Sequence, residues 1–411
     1  MIPVYRGAND TFLMASLRRN HPLVIDLAER PARGRYIRMI QVGDYGRLER
    51  HSPSGRAVDA LDAEDIFDLQ SGRSILVMDF SNEGPSFSKP IWDSFHGVIE
   101  DLGIAKDRIV IVQQNRDMEK DYRLVYGLDG LRFCISDYFV KNVGYDFWQQ
   151  GGNITESSEF KDIHYYPARS DEPGPIYLCL NGALRWLRVV TYRYLSLTGN
   201  LEKGLVSFHG AGPDNPKANE IDLSASPVGG DSPLAPYIDG VEAWIPRQAI
   251  RFDGREEKGN SLANVYIPHA YLSTCFSIVT ESDFFGSGID RITEKTMKAA
   301  CMGHPMVILG PAGALKALRK FGFRSFPELF DESYDDIEDP AERFLAAMST
   351  AEAAIADIES DRVGWNRRAS SSAIYNYEHG RSSYMDFYKE KIENDFINLM
   401  SEHINSGSTL P

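Results

Sequence analysis

Apolar runs of four to seven residues that end in polar, turn-forming residues recur along the chain. The clearest run, Ser74–Phe80, leads into the turn-forming sequence Ser81–Pro85 and predicts a buried parallel strand. Further strands are predicted at Arg108–Val112 and Leu131–Ile135. A helix is predicted over Ile91–Leu102, between the strand at Ser74–Phe80 and the strand at Arg108–Val112. This alternation predicts a doubly wound α/β sheet.

The pattern restarts beyond residue 173. Ile176–Leu180 predicts a strand, and Leu184–Leu197 predicts an amphipathic helix after it. Residues 211–260 are rich in Gly, Pro, Asp and Ser, which is typical of long loops.

A second strand and helix repeat follows. Phe276–Thr280 and Met306–Leu309 predict strands, a helix is predicted to begin at Thr293, and another is predicted over Pro311–Phe321. Right-handed crossovers bring the loops after these strands to one carboxyl edge, where open α/β domains bind ligands.

The linker composition of Ser170–Pro175 indicates a domain boundary. We therefore predict an N-terminal α/β domain at 1–172, a second α/β domain at 173–360, and C-terminal helices at 361–411 that pack back on the first domain.

Composition limits the class of protein. With 411 residues, 43% hydrophobic content and a net charge of −15, the chain has the composition of a globular protein without the basic surface that broad nucleic-acid or anionic-lipid binding requires. Its cysteines are far apart and predict buried thiols of a reducing compartment, rather than a zinc or redox site. No stretch predicts a membrane span or a cleavable leader, so we expect a cytoplasmic protein.

The sequence Thr293-Glu294-Lys295 is the most informative helix start. Thr293 is a good N-cap, and the free N–H groups of a helix N-terminus attract a diphosphate. Cations are disfavoured at this end of a helix, so Lys295 predicts an anion nearby. The alternative is an ordinary helix start with solvated charges.

Three short motifs surround this helix: Val279–Ser282, Ile292–Lys295 and Met302–Gly310. Their order and spacing resemble the C-terminal nucleotide-binding motif of the α-1,3-fucosyltransferases. The resemblance implies a GT-B architecture, with two Rossmann-like domains facing across a cleft. It also implies that Glu281 and Glu294 contact ribose or sugar and that Lys295 contacts the diphosphate. Ser282 replaces the asparagine of that family and the spacer differs, so the donor need not be GDP-fucose.

An earlier element also resembles a group of uncharacterised, glycosyltransferase-like bacterial and viral proteins. It comprises Leu180-Asn181, Arg185 and Arg188. We expect Asn181 to shape the turn, and the arginines offer planar forks to phosphate oxygens. The alternative is that both arginines pair with surface carboxylates.

Three more residues are candidates from their positions after strands. Glu83, and less directly Asp79, is predicted to be the base that deprotonates an acceptor hydroxyl, although both could only close a turn. His209 could reach the sugar or phosphate, or could be a packed loop residue. The acidic segment Asp331–Asp339 is interpreted as a solvated loop rather than a cation site, and no metal is predicted.

We therefore expect a metal-independent glycosyltransferase that needs no cofactor and moves a sugar from a nucleotide donor to a hydroxyl-bearing acceptor, such as a glycan. The resemblance to the fucosyltransferases implies that it inverts the anomeric carbon. A sugar-nucleotide epimerase is less favoured because no Gly-x-Gly-x-x-Gly turn follows an early strand. A noncatalytic nucleotide- or glycan-binding protein and a structural or assembly protein stay open as alternatives.

Overall fold

A computed structural model of the chain forms two compact units, one comprising residues 1–142, 287–291 and 386–411 and the other residues 143–286 and 292–385. The residues that the structure describes are 1–7, 13, 17, 23–42, 45–53, 55–81, 84–128, 130–136, 173–182, 184–208, 227–246, 250, 268–285, 291–388 and 394–405.

The first unit contains a six-stranded parallel sheet of order β2-β1-β3-β4-β5-β6. Its strands are β1 Ile2–Tyr5, β2 Val24–Leu27, β3 Tyr36–Gln41, β4 Ser74–Phe80, β5 Ile109–Gln113 and β6 Arg132–Ile135. The helices are α1 Ala63–Ser71, α2 Lys89–Asp101, α3 Asp117–Tyr126 and, near the C-terminus, α11 Asn394–Asn405. The predicted α/β class and the predicted strands of this half are confirmed.

Both faces of this sheet are covered, as the continuous apolar runs require. Along β4, Leu76 and Met78 face a core that includes Trp92 of α2. Ile75 and Val77 face the opposite core, which includes Phe396 of α11.

The first three strands were not predicted from the sequence. In β3, an arginine in the middle of the strand interrupts the apolar run. Arg38 is buried, and its Nε donates a 2.8 Å hydrogen bond to Asp65 of α1. A charge is stable in this position because its partner is equally buried.

The second unit contains a four-stranded parallel sheet of order β10-β9-β7-β8. Its strands are β7 Tyr177–Leu180, β8 Gly204–Ser207, β9 Phe276–Thr280 and β10 Met306–Leu309. Its helices are α4 Trp186–Leu197, α5 Val241–Trp244, α6 Pro268–Ser273, α7 Glu294–Cys301, α8 Ala314–Lys320 and α9 Pro340–Glu378, which a π-helical turn at His379–Ser383 joins to α10 Tyr384–Tyr388.

The long helix α9 packs along this second sheet. It begins earlier than the C-terminal helices predicted at 361–411, because Asp339 caps it through the N–H groups of Ala341 and Glu342. Its Trp365 is fully buried against Phe276 of β9, with ring centroids 6.2 Å apart. Non-helical backbone at Asp361 marks a kink.

The predicted boundary at 172/173 falls at the end of residues 137–172, which lie outside the described residues. In the described part, α11 packs on β1 and β6 of the first sheet, whereas α9 belongs to the second unit. The predicted domain limits stay predictions.

The sequence predicts buried cysteine thiols and no membrane span. The four cysteines are buried and form no disulfide. Within the described residues, no helix combines the length and apolar character needed to cross a membrane.

The contact between α7 and α9 predicts a stability difference. Gly303 and Gly199 each follow the last turn of a helix with positive φ, at +60° and +71°. A Cβ on Gly303 would collide with the Ala373 carbonyl oxygen of α9, whereas a Cβ on Gly199 would meet nothing within 4 Å.

We therefore expect Gly199→Ala to lower the free energy of unfolding by about 1 kcal/mol, the cost of a left-handed alanine. Gly303→Ala should cost at least about 2 kcal/mol more, because the helices must separate. Urea denaturation measures both. Equal losses would contradict the described packing.

Candidate functional site

The chain order of the second sheet reverses between β7 and β9, which lie side by side. Connections on the two sides of such a point lead to opposite faces of the sheet, which opens a crevice at the carboxyl ends of the strands. Asn181 directly follows β7 and Glu281 directly follows β9, so both lie at this crevice. The sheet order therefore brings together residues that are 100 positions apart in the sequence.

Asn181 joins the ends of three strands. Its buried Oδ1 accepts a 2.7 Å hydrogen bond from the Thr280 hydroxyl at the end of β9. Its backbone N–H donates to the Ser207 hydroxyl of β8 at 3.0 Å, and its Nδ2 donates to Cys179 of β7 at 3.3 Å. The predicted role of Asn181 in shaping the turn agrees with these bonds.

Glu281 fixes the start of α7 to the end of β9. Its Oε1 accepts from the Thr293 backbone N–H at 3.0 Å and from the Thr296 hydroxyl at 2.5 Å, and its Oε2 accepts from the Thr293 hydroxyl at 2.5 Å. Only 1% of Glu281 is exposed. These bonds make Glu281 a positioning residue for the helix, and its predicted contact with ribose stays a prediction.

Thr293 is the N-cap of α7, as predicted, and its hydroxyl accepts from the Lys295 backbone N–H at 3.4 Å. The Lys295 ammonium lies across the same turn. It donates to the hydroxyls of Ser282 and Thr293 at 3.2 and 3.1 Å and to the Glu294 carboxylate at 2.8 Å. A cation is thus held at a helix end that favours anions, while 23% of its side chain stays exposed.

Glu294 stays ionised in this setting. Burial by itself would raise its pKa, but the charges of Lys295 and Lys298 and the hydrogen bond from Lys295 outweigh burial and lower the pKa to about 2. An ionised carboxylate beside the N-terminus of α7 can accept hydrogen bonds from hydroxyl groups of a ligand.

The two predicted arginines differ in their surroundings. Arg185 is the N-cap residue of α4 and is exposed, and its side chain makes no hydrogen bond or ion pair within the part of the chain that the structure describes. Arg188 is buried in the first turns of α4. Burial, assisted by the charge of Arg185, lowers the pKa of Arg188 to about 10, while Glu294 and Glu281 oppose the shift. The two arginines and two glutamates are therefore near enough to interact electrostatically.

Asp79 at the carboxyl end of β4 is fully buried. Its Oδ2 accepts from the Leu13 backbone N–H at 2.7 Å, and its Oδ1 accepts from the Ser81 backbone N–H at 2.8 Å. These are the contacts of a loop-closing carboxylate, the alternative that the sequence left open. Glu83 and His209 lie outside the described residues, so their proposed roles stay predictions.

Most carboxylates of the acidic segment at 331–339 are exposed, in line with the solvated segment that the sequence indicated, but one is buried. Asp335 is buried and accepts hydrogen bonds from the backbone N–H groups of Leu315 and Lys316, which caps α8. Asp339 caps α9. No group of three or more potential metal-binding side chains occurs in the described ranges. The prediction that the protein works without a metal stays open.

Sequence reasoning missed Thr280 and Thr296 as members of this site. Thr280 is the last residue of an apolar strand. Thr296 follows the N-cap Thr293 by three residues, a spacing that places Thr293 and Thr296 close together at the start of the helix. Neither position indicates that Glu281 joins the end of β9 to the start of α7.

No protein-family model, curated protein or solved structure matches this chain.

The bonds of Glu281 predict its contribution to stability. Glu281→Ala leaves three buried donors of α7 without their acceptor, so we expect a loss of about 3 kcal/mol or more in the free energy of unfolding. Glu328→Ala, which removes an exposed glutamate of the same unit, should change it by less than about 0.5 kcal/mol. Similar values for both variants in urea denaturation would refute the anchoring role.

Glu294 predicts a pH dependence. Because its pKa is lower in the folded state than in the unfolded chain, the ionised form stabilises the fold above about pH 4.3, and this contribution disappears as pH falls toward 2. At pH 7, Glu294→Gln should cost roughly 3 kcal/mol, at about 1.4 kcal/mol per unit of pKa shift. The difference from the unsubstituted chain should be constant from pH 5 to 7 and shrink between pH 4.5 and 3. A constant difference over the whole range would exclude this coupling.

Proposed function

We propose that the second unit binds the diphosphate of a nucleotide sugar and that the chain is a metal-independent glycosyltransferase. The proposal includes the GT-B arrangement, in which two Rossmann-like domains face across a cleft. The main support is the convergence of the fucosyltransferase-like motifs at the β7/β9 crevice, where open α/β sheets bind ligands.

The charges at this crevice support an anionic ligand. Three cationic side chains, Arg188, Lys295 and Lys298, interact with the carboxylates of Glu281 or Glu294, and a fourth, Arg185, is near enough to Arg188 to act on it. The local balance is positive in a chain whose net charge is −15. The N-terminus of α7 adds its partial positive charge at the same place. This combination suits a diphosphate.

On this proposal the residues have distinct roles. Lys295 and Arg185 hold the diphosphate, with Arg188 as the buried charge behind them, and Glu294 accepts hydrogen bonds from ribose or sugar hydroxyls. Glu281 positions the helix, and Asn181 and Thr293 hold the turns. The cations and the helix dipole stabilise the negative charge of the diphosphate as it leaves. In other enzymes a bound metal ion has this role. His209 and the predicted base Glu83 complete the proposal, with Glu83 taking the proton of the attacking hydroxyl.

Nucleotide binding can be tested by thermal unfolding with UDP, GDP, CMP, ADP and dTDP. A ligand that binds the folded state alone stabilises it by about 2.7 kcal/mol at a hundredfold excess over its Kd. We expect at least one nucleoside diphosphate to raise the Tm. Lys295→Ala and Arg185→Ala should each raise the Kd about tenfold or more, equivalent to about 1.4 kcal/mol.

Two substitutions provide matched controls for charge. Lys320→Ala removes an exposed lysine at the C-terminal end of α8, and Arg367→Ala removes an exposed arginine of α9. Both should bind the nucleotide as the unsubstituted chain does. Absence of any Tm shift at millimolar nucleotide, or equal weakening by test and control variants, would reject the proposal. Binding without sugar transfer or hydrolysis would instead favour the noncatalytic alternative.

A further inference from the structure

A buried arginine holds together the loops that follow β9 and β10 in the second unit. Arg343 belongs to the first turn of α9 and is only 3% exposed. Its Nε donates a 3.0 Å hydrogen bond to the carbonyl oxygen of Gly310, which directly follows β10. Its Nη2 donates, also at 3.0 Å, to the carbonyl oxygen of Phe284 in the loop after β9. One guanidinium therefore joins the loops at the carboxyl ends of two adjacent strands.

The same guanidinium fixes the segment that leads into α9. Arg343 Nη1 donates to the carbonyl oxygens of Ile337 and Glu338 at 2.6 and 2.9 Å. A buried charge is costly unless hydrogen bonds replace its hydration, and these bonds do so. The planar fork of arginine suits carbonyl groups from three separate segments, whereas the single nitrogen of a lysine can reach fewer of them.

The loops that Arg343 fixes carry contacts to the start of α7. Ser282 lies in the loop after β9, and its hydroxyl accepts the 3.2 Å hydrogen bond from Lys295 Nζ. Gly310 packs on Glu281, because a Cβ added to Gly310 would lie 3.4 Å from Glu281 Cγ. Displacement of either loop would therefore disturb a residue that holds the Lys295 ammonium or the helix itself.

We infer that Arg343 is a positioning residue of the β7/β9 crevice, which fixes the loops after β9 and β10 so that Ser282 holds the Lys295 ammonium at the N-terminus of α7. Arg343 is buried and acts through these loops. Its effect on diphosphate binding rests on the proposed function. Its effect on Lys295 does not, because the position of this ammonium can be measured without a ligand.

Acetylation by sulfo-N-hydroxysuccinimide acetate, followed by mass spectrometry of the peptides, tests this role on the full chain. Hydrogen bonds from Lys295 favour its protonated form, which does not react, so we expect Arg343→Met to raise the Lys295 rate about threefold or more. Lys320, an exposed lysine at the end of α8, serves as the internal reference. Arg343→Lys keeps the charge but reaches fewer carbonyl groups, so it should raise the rate less.

Asp339→Ala provides the matched control at the same helix end. Asp339 caps α9 through the N–H groups of Ala341 and Glu342, so its loss destabilises the start of α9 without removing a hydrogen bond to the loops after β9 and β10. It should leave the Lys295 rate unchanged. An unchanged Lys295 rate in Arg343→Met, or an equal rise in Asp339→Ala, would overturn the inference.

A milder variant keeps the test decisive if Arg343→Met does not fold. Ser282→Ala removes only the hydroxyl that accepts from Lys295, and it should also raise the Lys295 rate. The double variant Arg343→Lys/Ser282→Ala should react no faster than Ser282→Ala alone, because both substitutions act through one contact. Independent, multiplying effects on the rate would show that Arg343 does not act through Ser282, contrary to the inference.

The effect on ligand binding is measured with the nucleoside diphosphate that raises the Tm of the unsubstituted chain. We expect Arg343→Met to raise its Kd about tenfold, Arg343→Lys to raise it less, and Asp339→Ala to leave it unchanged. An unchanged Kd in Arg343→Met would overturn the role in binding. If no nucleotide binds the unsubstituted chain, the proposed function fails, whereas the acetylation rates still decide whether Arg343 positions Lys295.

Discussion

The carboxylate of Glu281 is the contact on which the second crevice depends. It extends from the end of β9 and accepts three hydrogen bonds from the first turn of α7. The helix N-terminus is therefore fixed to the sheet by a charged group that also complements its positive dipole. Thr293, Glu294 and Lys295 keep their positions because this turn cannot move independently of the strand.

The sheets of the two units share the order of their first four strands. In chain order, the second sheet has the arrangement 2-1-3-4, and the first sheet begins with the same arrangement before adding two strands. Polar residues accumulate at the carboxyl ends in each case, because the apolar runs end there. Charged residues surround a helix N-terminus at the second edge, whereas the end of β5 at the first edge carries the buried amides of Gln113, Gln114 and Asn115.

The sequence predicted those parts of the fold whose signal is local. Phe276–Thr280 and Met306–Leu309 were predicted to the residue, because each is a continuous apolar run between polar segments. β3 was not predicted, because the burial of Arg38 depends on Asp65, which is distant in sequence. The cap of α8 was missed for the same reason, since Asp335 belongs to a later segment.

In the candidate site, too, the features with a local sequence signal could be predicted and those that depend on distant residues could not. The cap at Thr293 and the importance of Lys295 could be predicted from the helix start alone. The anchoring role of Glu281 could not, because a motif specifies a residue but not the hydrogen bonds that occupy its oxygens. The burial of Ser81 and Ser136 in the first unit could not be predicted either, because strand adjacency, which a local pattern does not give, brings both serines to the same edge of the sheet.

The central claim is that the β7/β9 crevice of the second unit binds a nucleoside diphosphate. The most direct measurement is photo-crosslinking with 8-azido-GDP and 5-azido-UDP, followed by mass spectrometry of the labelled peptides. We predict label on peptides from residues 181–188 or 281–298, displaced by an excess of the corresponding unmodified nucleotide. Displaceable label confined to the first unit, or no displaceable label with either probe, would contradict the claim.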